Sequence, residues 1–104
     1  MSSEPTPVLK VLTHMTASSM NASSLGAREL ELVRIAALVA VGAPTTSYLM
    51  NVGLAADRGI TLDDAQGLLA GVAPIVGTAR VVEASANIAS ALGLAVDLAE
   101  QVDA

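Results

Sequence analysis

Gly42-Ala43-Pro44 interrupts the longest uncharged run in the chain, and no other feature constrains the fold as much. The run extends from Ile35 to Ala56 without an Asp, Glu, Lys or Arg. Ahead of the break, Glu29 to Val41 carries apolar residues at helical spacing. Glycine favours a left-handed helix stop and proline forbids continuation, so the helix ends there. A second helix restarts near Thr45 and ends at Arg58-Gly59. Two apolar helices folded back on each other through a tight, polar-lined break make the centre of a small all-α domain.

The rest of the chain extends that pattern. Residues 1–5 read as a short disordered lead, and residues 6–104 as one helical domain. Thr6 caps a first helix with Pro7 at its first position, and Val8, Leu9, Val11, Leu12 and Met15 follow at helical spacing. The second helix runs from about Ala27, with Leu30, Val33, Ala37, Leu38 and Val41 expected on its inner face. Thr61-Leu62-Asp63-Asp64 is a clean helix start, with Thr61 as cap and two acids in the first turn. Pro74 is expected to kink or end that fourth helix near Ala73. A fifth starts at Gly77-Thr78, and Gly93 is expected to weaken it, leaving Leu94 to Val102 as a further segment. No run alternates like a strand, so the expectation is five to six helices and no sheet.

Composition excludes several functions. The chain has no cysteine, which removes disulfides, thiolate metal sites and thiol redox chemistry. Ten acidic against five basic residues give a net charge of -5, so nucleic acid and anionic membrane surfaces are poor partners. Hydrophobic residues make up 53% and charged residues only 14%, too few to coat a monomer of this size. A bilayer would explain this, but a helix broken at its middle would leave backbone groups unsatisfied in lipid. Self-association is the better account. The opening MSSEPTPVLK has no basic run leading into an apolar one, so no secretory leader is expected and a cytoplasmic location follows.

The stretch from Glu29 to Ala84 resembles the carboxymuconolactone decarboxylase family, which shares its all-helical fold with the alkylhydroperoxidase D-like proteins. The resemblance rests on the long apolar helix, the break, the ending Ala55-Ala56-Asp57-Arg58-Gly59-Ile60-Thr61, and the segment from Ala73 to Arg80. It implies an oligomer, a homotrimer or homohexamer. The peroxidase branch is similar in layout but places a Cys-x-x-Cys at the start of the helix after the break, with a histidine one turn on and an acid before it. Here Pro44 and Ser47 stand at the cysteine positions and Asn51 at the histidine position, with Glu31 near the place of the acid. Without a thiolate that peroxidase chemistry has no nucleophile. The decarboxylase branch implies a histidine acting at the Asn51 position, and an asparagine is no general base near neutral pH.

The site candidates follow. Ser47, Tyr48 and Asn51 lie on the first turns of the third helix, Ser47 and Asn51 on one face, where they form a small polar pocket able to hold a carboxylate or carbonyl. The plainer reading is a capping Ser47, an interface bond from Tyr48 and an Asn51 satisfied by backbone. Arg34 and Arg80 either bind an anionic ligand or pair with Glu31, Glu83 or an acid of a neighbouring copy. Glu31 and Tyr48 are the weak catalytic candidates, although an acid in the first turns of a helix is more often solvated. His14 is alone and expected exposed, with no partner at metal-ligand spacing. Met15, Met20 and Met50 read as core filler. The expectation is a non-redox member of the family, without metal or cofactor, that binds a small organic acid or lactone. An active decarboxylase or isomerase using Glu31, Tyr48 and Arg34 is one alternative, and a purely structural oligomer another.

Overall fold

The computed structural model describes residues 6–103; the expected disordered lead, residues 1–5, lies outside them. The described chain forms five helices and no strand: α1 Pro7–Ala22, α2 Ala27–Val41, α3 Thr45–Asp57, α4 Leu62–Val76 and α5 Thr78–Asp103.

Local chemistry sets these boundaries. Thr6 caps α1 by accepting from the Leu9 N–H at 3.3 Å, with Pro7 beginning the helix. Gly42 closes α2 in the left-handed conformation at φ 68°, and the Ala43 N–H reaches back to the Leu38 carbonyl at 3.0 Å. The end of α3 repeats the device: Gly59 has φ 73° and the Ile60 N–H bonds to the Ala55 carbonyl at 2.9 Å. Thr61 and Asp64 form a reciprocal capping box at the start of α4, with bonds of 3.1 and 2.9 Å.

Neither Pro74 nor Gly93 ends its helix. Pro74 lies inside α4, which continues to Val76. Proline removes only the bond to the Ala70 carbonyl, Ala70 is exposed to water, and the helix ends two residues later at Val76, with Gly77 as its cap. Gly93 does not divide α5. One glycine costs a helix about 1 kcal/mol relative to alanine, too little to break a long helix against a packed neighbour.

The core comprises Ile35, Val39, Ala43, Tyr48, Leu69, Ala84 and Ala91. Helix α5 packs most extensively on α3, while α2 touches α3, α4 and α5. The inner face of α2 differs from the expected one. Glu31, Ile35 and Val39, four apart, are buried, whereas Val33 and Val41 are 53% and 71% exposed. Charges are spread round the first turns of α2 and it is wholly apolar from Ile35 onward, so periodicity alone does not choose its face. Met15, Met20 and Met50 are likewise exposed rather than core filler.

Helix α1 stands apart, with no buried residue. Its polar tie to the bundle is Arg34, whose Nη2 donates to Ser19 Oγ at 3.1 Å and to the Thr16 carbonyl at 3.5 Å. Within α5, Thr78–Leu98 is long and apolar enough to cross a membrane by length and composition. The same stretch places Ala84 and Ala91 in the core.

A candidate small-molecule cavity beside helix α3

A cavity of about 200 Å³ opens between the four packed helices. Helix α3 supplies Tyr48, Asn51, Val52, Ala55 and Ala56 along one wall. Ile35 comes from α2, and Ile88, Ala91 and Leu92 come from α5. The turn after α3 closes the far end with Ile60 and Thr61, followed by Leu62 and Ala65 of α4. Its position follows from the two glycine stops, which fix where α3 begins and ends relative to α2 and α4.

Two of the sequence candidates line the cavity. Tyr48 is 4% exposed, and its hydroxyl has no hydrogen-bond partner among the described residues. Burial, and then the negative charge of Glu83, push its pKa up. The side-chain Nδ2 of Asn51 donates to the Ser47 carbonyl at 2.9 Å, one turn back. Ser47 therefore contributes its backbone, and its side chain does not cap α3, whose cap residue is Pro44.

The two arginines lie elsewhere. Arg34 is turned towards α1, and Arg80 is exposed, with its Nη1 3.9 Å from Glu83 Oε1. The Arg80 guanidinium covers the backbone at Gly42, occupying the space a β-carbon there would need. His14 is exposed, and among the described residues no three His, Asp or Glu side chains gather into a metal-binding group.

Glu31 departs most from the solvated placement that its position near a helix start suggests. It is only 1% exposed, and its Oε1 has no hydrogen-bond partner among the described residues. It sits one turn before Ile35, on the same face of α2. Burial raises its pKa, against the opposing pull of Arg58 and Arg34. Burial thus shifts this carboxyl towards its protonated form relative to an exposed glutamate.

Asn87 was not among the sequence candidates. Its Nδ2 donates to the Ala43 carbonyl at 3.2 Å, and its Oδ1 accepts from Thr45 Oγ1 at 3.0 Å. These bonds hold the break between α2 and α3 against α5. An asparagine amid the alanines of α5 is the one sequence signal that could have marked it.

No curated protein and no solved structure matches the chain. The model of the carboxymuconolactone decarboxylase family matches residues 6–91, from the start of α1 to the cavity residue Ala91. With five helices in place and most of its length within that match, the chain belongs to the carboxymuconolactone decarboxylase family.

Proposed function

We propose that this chain is a non-redox carboxymuconolactone decarboxylase-like protein that binds a small organic acid or lactone in the cavity beside α3. The observation that carries the reading is an apolar cavity of about 200 Å³ with Tyr48 and Asn51 in its wall. Small-molecule sites are commonly concave and apolar with a few polar groups that orient the ligand.

The protein acts as a homotrimer or homohexamer in the cytoplasm, without nucleic acid or membrane. Exposed apolar side chains on α1, together with Val41, Met50, Ile75 and Val82, support self-association. Native mass spectrometry of protein purified without detergent tests both parts. A trimer or hexamer retaining a small molecule supports them, whereas a monomer without added mass counts against both.

A second reading has one observation in its favour. Burial raises the pKa of the Glu31 carboxyl, the direction that suits proton transfer in a decarboxylase or isomerase. In that reading Tyr48 orients the substrate and Arg34 leaves α1 to meet its carboxylate. Turnover of a lactone acid that disappears in a folded Glu31→Gln variant would favour it; absence of turnover in the wild type would remove it.

A further inference from the structure

We propose that the cavity beside α3 selects an uncharged, mainly apolar ligand the size of one substituted ring, and rejects carboxylates. This rests on reading the cavity as a small-molecule site, and it decides between the lactone and the acid in favour of the neutral class.

Size comes first. The cavity measures about 200 Å³, and an apolar protein cavity of about 150 Å³ stays dry and binds benzene. The walls are made by Ile35, Val52, Ile60, Ile88 and Leu92 with small alanines between them. Such a surface gains by burying hydrocarbon and offers an ion nothing in exchange for its lost water.

Charge comes second. None of the chain's five basic side chains lines the cavity. Lys10 is exposed on α1, and Arg28 pairs with Asp64 at 3.1 Å. Arg34 is bound to Ser19, and Arg80 lies over Gly42. Arg58, half-buried at the end of α3, acts electrostatically on Glu31. Glu31 is itself buried one turn from the cavity residue Ile35, so a second carboxylate there would meet a like charge or force a proton onto one of the pair.

Polar groups come third. The start of α4 reaches the cavity at Thr61 and Leu62, and a helix start ordinarily attracts anions. Here Asp63 and Asp64 already occupy its first turn, and Asp64 closes the capping box with Thr61. One N–H of the Asn51 amide is taken by the Ser47 carbonyl, and the other is neutral and cannot balance a carboxylate's charge. Tyr48 lines the wall, but its hydroxyl is buried away from the open space and supplies no positive charge to meet an anion.

A shape-matched pair of probes tests this: cyclohexyl methyl ketone and cyclohexanecarboxylate, titrated separately into the full-length protein. The readout is the methyl NMR signals of Ile35, Ile60 and Ile88. The expected result is saturable shifts with the ketone, at least about tenfold tighter at neutral pH than any binding of the carboxylate, a gap of about 1.4 kcal/mol. Ala56→Phe, at an exposed position in the wall, is expected to fill the space and abolish the ketone shifts. Carboxylate binding equal to or tighter than the ketone would overturn this inference and leave the small-molecule reading standing. Ketone shifts that survive in a folded Ala56→Phe variant would place the neutral ligand elsewhere and overturn the inference too. If neither probe moves any of these methyls, the small-molecule reading falls, and this inference with it.

Discussion

The side-chain amide of Asn87 donates to the Ala43 carbonyl at 3.2 Å, joining the middle of α5 to the break between α2 and α3. The same side chain accepts from Thr45 at 3.0 Å, so one residue satisfies both sides of the break. Asn87→Leu keeps the branched side-chain skeleton but leaves the two groups of the break without that partner. A loss of about 1–3 kcal/mol is expected, read as a lower urea midpoint at unchanged slope. An unaltered midpoint would mean that water replaces the amide at no cost.

Gly42 carries two constraints at once. Its φ of 68° lies where side chains are strained, and the Arg80 guanidinium fills the space beside it. Gly42→Ala should cost about 1–2 kcal/mol from the backbone alone, with the collision added. In an Arg80→Ala background only the collision is relieved, so the two changes should combine non-additively in chemical denaturation. Strict additivity would show that Arg80 swings clear without cost.

Glu31→Met replaces a buried carboxyl with an apolar side chain of similar length. Because burial raises the folded-state pKa above the ordinary 4.5, the contribution of Glu31 to stability is fully present below that value. It is lost as pH rises through the folded value. The variant should therefore be more stable than wild type at neutral pH, by about 1–3 kcal/mol, with the difference shrinking towards acid. Asp64 runs the other way: its pKa is lowered from 3.8, mainly by the Thr61 backbone N–H, so its contribution is present above that value and lost as pH falls through the folded one. Melting curves across this range separate the two, and a Glu31→Met variant less stable than wild type at neutral pH would contradict the account of Glu31.

Val8, Leu12 and Met15 are exposed on α1. Changing any of them to Asp should leave helicity intact and weaken the proposed oligomer, as read by native mass spectrometry. An unchanged assembly would mean that α1 lies outside its contacts.

The elements announced by local chemistry were legible in the sequence. Gly42 and Gly59 stop helices, and Thr61 with Asp64 starts one, because these effects involve neighbours in the chain. The family was legible for a similar reason, since the order and spacing of those signals survive without the cysteines. The inner face of α2 was not, because its charges are spread round the first turns, its second half is wholly apolar, and only contact with α3, α4 and α5 selects one side. Glu31 was misplaced on the same account: an acid near a helix start is ordinarily solvated, and only its alignment with Ile35 and Val39 hints otherwise. Tyr48 and Asn51 were legible as polar residues in the first turns of α3, but Asn87 was not, since its partners lie more than forty residues away.

The isolation of α1 has a consequence for how the protomer breathes. A helix of 16 residues gains little stability in water without a packed face, and this one has no buried side chain. Its amides should exchange with solvent by fraying of the helix alone, while those at the centre of α3 and α5 wait for the bundle to open. One short chain thus contains two lifetimes, and whatever shelters α1 lengthens the shorter of them.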